Sequence, residues 1–273
     1  MKTILIDPER CMQCCNCQNA CKDEHCDNDW SPITREQGRH QFWIQVRETE
    51  VGSGTRMKLN RVSVPCQHCA DAPCMAVAGE AMYRREEGYV LIDPAKAKGL
   101  RELVQACPYG AIYYNEELDL PQKCTMCAHL LDMGRDLPRC VAACPSDALR
   151  FVDTSELTVD NMYAPLERLN PEFGTNPQVA YVNLPKPFIA GAVYDPKADQ
   201  CLEDVKVKAT HMVTGKVFKT RTDNYGEFRL WKLDPGFYTV AFYLEGYRYV
   251  ELSKIDARTC PNLEDIKLYP RVN

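Results

Sequence analysis

The sequence predicts an α+β protein in which a cysteine-rich first domain precedes a small C-terminal β-sandwich. Two observations predict this class. Of the 16 cysteines in 273 residues, all but Cys201 and Cys260 lie between Cys11 and Cys144. The last third of the chain instead alternates apolar and polar residues in short runs, which is typical of strands. The uneven placement of cysteine therefore indicates two regions with different chemistry.

The composition is that of a folded globular protein and excludes several function classes. Hydrophobic residues make up 45% of the chain and charged residues 26%, which is typical of globular domains. No run approaches the ~18 apolar residues of a membrane helix, so we expect no membrane span. The formal net charge of −5 argues against a nucleic-acid binder. The N-terminus lacks the apolar region of a secretory signal, so we expect a cytoplasmic chain, with export beside a signal-bearing partner as the alternative.

Three segments follow from the composition. Residues 1–152 contain the cysteine clusters, and residues 153–187 contain five prolines without a period and are predicted to form an extended strap. Residues 188–273 contain about seven short alternating runs, separated by turn signals such as Asn224–Gly226 and Asp234–Gly236. This spacing of short strands is typical of a β-sandwich.

The cysteine region contains four related motifs. The run Cys11-x2-Cys14-x2-Cys17-x3-Cys21 has the spacing of a bacterial ferredoxin motif, which surrounds a cubane [4Fe–4S] cluster with thiolates. The cysteines of the three variant motifs are Cys66, Cys69 and Cys74; Cys107; and Cys124, Cys127, Cys140 and Cys144. Proline follows both Cys107 and Cys144, as in closing members of such motifs. Four motifs predict a double two-cluster ferredoxin-like domain with room for four clusters.

The motifs assign ligands to three sites. In two-cluster ferredoxins the fourth cysteine of one motif binds the cluster of the other motif. The first and last motifs form the outer pair, and the two motifs between them form the inner pair. With this exchange, the outer pair gives the first outer site (Cys11, Cys14, Cys17 and Cys144) and the second outer site (Cys21, Cys124, Cys127 and Cys140). The inner pair gives the inner site (Cys66, Cys69, Cys74 and Cys107). We therefore predict three [4Fe–4S] clusters.

A fourth site is missing all of its ligands. The usual spacings would place its cysteines at four positions that hold apolar residues, namely Ala78, Ala97, Leu100 and Leu103. Random loss would scatter the missing ligands over several sites, whereas here every loss falls on one. We name these four positions the apolar site and predict that their side chains fill the space of a cluster.

Four cysteines remain outside the three sites. We expect Cys15 to be a packed thiol, with an alternative cluster ligand as the other interpretation, and Cys26 to be either a packed or a partly exposed thiol. A disulfide between Cys201 and Cys260 has little support, because their separation is unknown from sequence. Structural zinc is the alternative for the paired CxxC groups, but the compact four-thiolate motif and the recurring Cys-Pro favour iron–sulfur clusters.

The sequence shows no catalytic constellation. It contains neither a P-loop nor a GxGxxG motif after a strand, so nucleotide binding is unsupported. His68 and His129 lie inside cluster loops, where hydrogen bonding or packing is expected rather than ligation. A protein with clusters and no catalytic centre transfers electrons for another protein.

Two features of the cysteine region leave alternatives open. Lys123, beside Cys124, is predicted to be a solvated surface residue, and the alternative is a cation that raises a cluster potential. The insertion between the first two motifs contains Trp30 and Trp43 and a predicted hairpin across Gly52–Gly54. Its aromatic residues fit a partner surface or a small satellite core equally well.

With these motifs in place, the N-terminal half resembles the iron–sulfur subunits of the DMSO-reductase superfamily of molybdenum and tungsten enzymes. The matching segments are Val90–Pro94, Lys96–Gly99, Cys107–Gly110, Lys123–Leu131 and Phe173–Pro177. Members of this family usually carry four clusters, so three sites are a departure. With three predicted clusters and a terminal sandwich, the chain is similar to the branch of pyrogallol–phloroglucinol transhydroxylases. Resorcinol hydroxylases and catechol dehydroxylases are related members of this branch. The C-terminal part is similar to transthyretin-like, Ig-like or carboxypeptidase-regulatory sandwiches.

The resemblance implies a non-catalytic electron-transfer subunit in a heterodimer or larger complex. The large catalytic partner would hold a molybdenum or tungsten bis-pyranopterin guanine dinucleotide and act on polyhydroxylated aromatics. The alternatives are a subunit of a catechol-type dehydroxylase or other reductase, which needs an external electron donor, or a free-standing ferredoxin-like carrier with a binding module. Clusters are assembled on free thiolates, so we expect a reducing, oxygen-poor setting.

Overall fold

The computed structural model describes residues 1–157 and 165–271, and its contacts divide the chain into two compact units. The first unit comprises Met1–Arg47 and Arg61–Leu184, and the second comprises Glu48–Asn60 and Pro185–Asn273. This division differs from the predicted boundaries in two places, because the strap from residue 165 to Leu184 joins the first unit and an inserted segment joins the second. Residues 158–164 of the predicted strap lie outside the described residues.

The first unit is built from short elements connected by many small loops. No helix among the described residues has the length and apolar character that crossing a bilayer requires. In chain order the elements are β1 (Lys2–Ile6), α1 (Asn16–His25), β2 (Ile44–Val51), β3 (Lys58–Pro65), α2 (Pro73–Ala78), β4 (Met82–Arg84), β5 (Val90–Ile92), α3 (Leu103–Ala106), β6 (Ile112–Asn115), β7 (Leu120–Lys123), α4 (Ala128–Asp132), α5 (Arg139–Ala142), β8 (Leu149–Asp153) and β9 (Ala180–Tyr181).

Strand β1 is the centre of a three-stranded sheet in the first unit. On one side β8 pairs with it in the antiparallel direction, with Ile6 opposite Leu149. On the other side β9 pairs with it in the parallel direction, with Leu5 opposite Ala180. The N-terminal strand therefore fixes both the end of the cysteine region and the strap. The remaining strands of this unit form the two-stranded pairs β2–β3, β4–β5 and β6–β7.

The second unit contains a β-sandwich of two four-stranded sheets. Its strands are β10 (Ile189–Asp195), β11 (Gln200–Cys201), β12 (Lys206–His211), β13 (Val217–Arg221), β14 (Glu227–Leu230), β15 (Phe237–Tyr243), β16 (Val250–Asp256) and β17 (Asn262–Lys267). One sheet has the order β11–β10–β14, with β17 parallel to β10, and the other has the order β13–β12–β15–β16. All seven predicted runs coincide with strands, and β11 is the one that the pattern did not predict.

The core of the sandwich lies between the two sheets because both contribute to one apolar cluster. Val193 and Phe228 come from the first sheet, and Val207 and Phe242 come from the second. Along β12 and β15 every second residue is buried, and the residues between them are exposed or half-buried. This period of two leaves the outer face of the second sheet polar.

The tip of the β2–β3 hairpin belongs to the second unit for two reasons. Val51 packs in a small apolar cluster with Phe188 and Cys260. The nearly buried guanidinium of Arg56 donates hydrogen bonds to Asn262 Oδ1 at 3.1 Å and to Glu227 Oε1 at 3.0 Å. The predicted hairpin across Gly52–Gly54 is therefore confirmed, and its tip is held by the sandwich residues around it.

The turns of the sandwich offer a matched test of backbone strain. Gly226 and Gly215 both have left-handed backbone, with φ of +72° and +70°, so alanine at either position costs roughly 1–2 kcal/mol of backbone strain. A Cβ at Gly226 would lie 2.4 Å from the Val193 backbone oxygen, whereas one at Gly215 would meet nothing within 4 Å. We expect Gly226→Ala to lower the free energy of unfolding by about 1–3 kcal/mol more than Gly215→Ala. Urea denaturation followed by circular dichroism measures this, and equal losses would contradict it.

Candidate metal centres

Two short helices divide their cysteines between the predicted outer sites. Cys17 and Cys21 lie one turn apart on the buried side of α1. Cys140 lies in α5, and Cys144 follows it at the same spacing of four residues. Helices α1 and α5 pack against each other. Each helix thus offers one thiol to the first outer site and one to the second, which is the exchange that two-cluster ferredoxins make.

The inner pair of helices repeats this arrangement with one site replaced. Helix α2 carries Cys74 and, one turn later, Ala78. Helix α3 begins at Leu103, and Cys107 follows it one turn later. These helices also pack against each other. On each of them an inner-site cysteine lies four residues from a member of the apolar site, so the loss of ligands follows the geometry of one site.

The first outer site is the most exposed of the three. Burial, with a smaller influence from the nearby thiols of Cys11 and Cys144, raises the pKa of Cys17 to about 11. Cys14, the fourth predicted member of the site, is exposed. The structure therefore brings Cys11 and Cys144 within electrostatic reach of Cys17 and leaves Cys14 at the surface.

The second outer site is buried. All four of its predicted ligands line one small cavity together with apolar and aromatic side chains that include Ile4, Ile44 and Trp43. Burial raises the pKa of Cys127 to about 12 and that of Cys140 well above its ordinary value. Neighbouring thiols add to both increases.

The inner site has the same character. Its four predicted ligands line one small cavity. Burial raises the pKa of Cys74 to about 11, and the thiols of Cys66, Cys69 and Cys107 lie near enough to raise it further. Apolar contacts from Val90 and Ile112 complete the lining.

The strap covers the loop of the inner site. Backbone N–H groups of Ala70 and Asp71 donate to the carbonyl oxygens of Asn176 and Thr175 at 2.9 and 3.1 Å. The Thr175 side chain lies 2.7 Å from the Tyr109 hydroxyl and also hydrogen-bonds Cys69, which lowers the pKa of that thiol against the larger effect of burial. Sequence reasoning used Phe173–Pro177 only as a mark of resemblance and missed this contact.

The four positions of the apolar site converge in one hydrophobic cluster. Ala78, Ala97 and Leu103 are buried members of this cluster, and Leu100 packs against it. Ala97 and Leu103 are fully buried, with an exposed fraction of 0% each. Cys74 belongs to the same cluster, so the apolar side chains lie directly beside the inner site.

Backbone conformation aims N–H groups at the sulfurs in the cysteine loops. In three of the CxxC loops the third residue has positive φ, namely Gln13 (66°), His68 (45°) and Met126 (57°). In two of these loops the N–H of that residue donates to the first cysteine, from His68 to Cys66 Sγ at 3.5 Å and from Met126 to Cys124 Sγ at 3.4 Å. Such bonds stabilise a thiolate and tune the potential of a bound cluster.

The prediction that Lys123 is a solvated surface residue is wrong. Its side chain is buried, with an exposed fraction of 3% for the residue. Its Nζ donates to the backbone oxygens of Val90 and, at 3.2 Å, of Cys124. The ammonium lies near predicted ligands of two sites. Its positive charge lowers the pKa of Cys74 and of Cys124, against the effect of burial. The β7 strand ends at Lys123, and the cluster loop packs around the side chain.

His68 and His129, and both tryptophans of this region, are packed residues. His68 Nδ1 accepts a hydrogen bond from the Val90 N–H at 3.1 Å. His129 Nε2 lies 3.2 Å from Glu24 Oε1, and its ring stacks on Trp30 with centroids 4.4 Å apart. Trp43 is buried in the main core of the unit. For the tryptophans this favours core packing over a partner surface.

The spare cysteines form no disulfide in the structure. Cys15 and Cys26 are half-buried, Cys201 is exposed and Cys260 is buried, and all are free thiols. Because one member of the Cys201–Cys260 pair is at the surface and the other in a small apolar cluster, the structure does not pair them.

The residues present fit cubane clusters. Thiolates alone form the donor set, as iron–sulfur clusters require, and two of the three sites are cavities lined by four thiols each. Within 1–157 and 165–271 no three His, Cys, Asp or Glu side chains form a group that holds a single metal ion. A cluster occupies the space between its ligands, so its thiolates stand farther apart than the ligands of one ion. The bound iron also compensates for thiolate charge that burial disfavours.

Comparison with known proteins matches both units. Residues 57–154 match the family model of the 4Fe-4S dicluster domain, and residues 189–268 match that of the carboxypeptidase regulatory-like domain. The small subunit of pyrogallol hydroxytransferase from Pelobacter acidigallici is 38% identical over 94% of this chain and 95% of that subunit. The thiosulfate reductase electron transfer subunit of Salmonella typhi is 36% identical over 56% of this chain and 78% of its own length. A tetrathionate reductase subunit from Salmonella typhimurium is 31% identical over 68% of this chain and 74% of its own length.

Proposed function

Because the chain belongs to the family of iron–sulfur subunits of the DMSO-reductase superfamily, we propose that it transfers electrons within a heteromeric enzyme acting on polyhydroxylated aromatic compounds. The observation that carries the aromatic substrate class is the 38% identity to the pyrogallol hydroxytransferase small subunit, which extends over 94% of this chain. The thiosulfate and tetrathionate reductase subunits match 56% and 68% of this chain. The likeness to the hydroxytransferase subunit therefore includes the sandwich.

We propose three [4Fe–4S] clusters, held by the first outer site, the second outer site and the inner site. The four-residue spacing of Cys17 and Cys21 on α1, and of Cys140 in α5 and Cys144 after it, supports the exchange between motifs. The two cavities lined by four thiols each support the second outer and inner sites. The packing of Ala97 and Leu103 in an apolar cluster supports the absence of a fourth cluster.

Electrostatic interactions between predicted ligands of different sites support a row of three sites. Cys17 of the first outer site lies within electrostatic reach of Cys140 of the second, and Cys124 of the second lies within reach of Cys66 of the inner site. The second outer site is thus the central one. A bound cluster supplies one-electron redox chemistry, and burial of the surrounding thiols excludes water from the second outer site and the inner site.

We further propose a large catalytic partner that holds a molybdenum or tungsten bis-pyranopterin guanine dinucleotide, in a heterodimer or larger complex. Three relatives are subunits of named enzymes, which supports a partner of this kind. Electrons would pass between that partner and the row of sites.

The overall reaction decides whether electrons must enter from outside. If the complex moves a hydroxyl group between two aromatic molecules, the reaction is redox-neutral, and we expect steady turnover of the purified complex without an added donor. If it removes a hydroxyl group, turnover requires a reductant such as reduced viologen. Aromatic products measured with and without the reductant separate the two. A complex that turns over no aromatic substrate under either condition would contradict the proposed substrate class.

The cluster count predicts an iron content. We expect about 12 iron atoms per chain, since each of three sites holds four. Changing the apolar site to cysteine (Ala78→Cys, Ala97→Cys, Leu100→Cys and Leu103→Cys together) should add about four iron atoms and a further signal in a reductive spin-resonance titration. The control is Cys201→Ala, an exposed spare thiol, which should leave the iron content unchanged. Four cubane signals in the unmodified protein would refute the count.

The buried charge of Lys123 predicts a shift in potential. Replacing it by methionine removes a cation near Cys74 and Cys124, so the reduced and more negative state of the clusters is stabilised less. We expect Lys123→Met to lower the potential of the inner or second outer cluster by about 60 mV, a tenfold change in the one-electron equilibrium. Lys123→Arg keeps the charge and should retain most of the potential.

The matched control for Lys123→Met is Lys98→Met, which removes an exposed lysine of the same unit. Its charge is screened by solvent, so the potentials should stay within error of the unmodified protein. Redox titration followed by spin resonance measures all three variants. Equal shifts for Lys98→Met and Lys123→Met would assign the effect to net charge rather than to the buried position.

A further inference from the structure

The outer face of one sandwich sheet forms a groove that electron transfer does not use. The groove has a volume of about 800 Å³ and crosses β13, β12, β15 and β16. Small side chains, Thr210, Thr239 and Ala241, occupy its middle. Tyr243 and Tyr249 stand on one side, both more than 40% exposed. The face is therefore concave, with a low floor and an aromatic wall.

Four cations of β12 and β13 line the other side of the groove in two like-charge pairs. Lys206 lies directly opposite Arg221, and Lys208 lies directly opposite Lys219. Like charges directly opposite each other on neighbouring strands destabilise a sheet. Strands of a stable surface usually mix both signs. The two like-charge pairs therefore lower the stability of the sheet.

The charges of the groove are only partly compensated inside the chain. Arg221 forms an exposed ion pair with Asp204 at 3.3 Å, and Lys206 Nζ lies 5.4 Å above the Tyr243 ring. Within the part of the chain that the structure describes, the ammonium groups of Lys208 and Lys219 form neither a hydrogen bond nor an ion pair. The acid of the groove, Glu251, already accepts a hydrogen bond from the Tyr249 hydroxyl.

We propose that this face, which we name the basic groove (Lys206, Lys208, Lys219, Arg221, Tyr243 and Tyr249), binds an extended acidic segment of another protein chain. Carboxylates along such a segment would pair with the four cations and relieve their mutual repulsion. Tyrosine and arginine are typical residues of protein interfaces. Four strands span about 14 Å at the usual strand spacing, which accommodates one extended chain.

Charge and shape favour a protein segment over other anions. The chain as a whole carries a net charge of −5, whereas general nucleic-acid binders are basic over a whole domain. A membrane surface is flat on this scale and cannot contact the low floor formed by Thr239 and Ala241. An extended peptide can follow the concave face and place side chains into it.

The test uses the full-length, cluster-loaded chain and a fluorescein-labelled octapeptide of alternating glutamate and alanine. We expect fluorescence anisotropy to show saturable binding that weakens with added salt. The double change Lys208→Glu with Lys219→Glu should weaken binding at least tenfold. The matched control, Lys197→Glu with Lys267→Glu, reverses the same number of charges outside the groove and should change the affinity less than twofold.

A stability measurement separates binding from misfolding. The single change Lys219→Glu creates an opposite-charge pair with Lys208, so the variant should melt no lower than the unmodified protein while it binds the peptide more weakly. No binding of the glutamate peptide, or an equal loss in the control pair, would overturn the proposal. Tighter binding to phosphatidylserine vesicles or to heparin would also overturn it, since the face would then serve a membrane or another polyanion.

Discussion

The spacing of four residues between paired positions on short helices is the constraint on which the first unit depends. One helical turn separates Cys17 from Cys21 on α1, and the same spacing separates Cys74 from Ala78 on α2. Residues one turn apart share a helix face but project at different heights, so one helix can serve two neighbouring sites. The helices must then pack in pairs, as α1 does with α5 and α2 with α3. Sheet, hairpins and strap hold these pairs in place.

Burial of thiols sets the second condition of this architecture. Burial raises the pKa of Cys17 and Cys74 to about 11 each, so thiolates in these positions need compensation from bound iron, from N–H donors or from a cation. The structure supplies donors through left-handed residues in the cysteine loops and a cation through Lys123. At the apolar site no charge is brought into the core, and alanine and leucine fill it without such help. One cluster can therefore be absent while the helix pair that would bind it persists.

Much of this arrangement is predictable from the sequence, because cysteine spacing and strand alternation are local signals. The seven alternating runs all coincide with strands of the sandwich, and the positions of the apolar site meet in one cluster as predicted. The features that sequence reasoning missed depend on contacts between distant residues. Lys123 is buried because a carbonyl 33 residues away accepts a hydrogen bond from its ammonium. The hairpin tip joins the sandwich through the bond of Arg56 to Asn262, 206 residues further along.

The two units also differ in how their positive charges are compensated. In the first unit the buried ammonium of Lys123 is compensated by carbonyl partners and by nearby thiols. In the sandwich, Lys208 and Lys219 face each other on an outer surface, where alternation along β12 and β13 would permit any polar residue. Neutral or acidic residues at one of these positions would make a more stable sheet. A surface that keeps the less stable choice at two adjacent cross-strand pairs is best explained by an interaction outside the chain, since nothing in the folding of the sheet requires it.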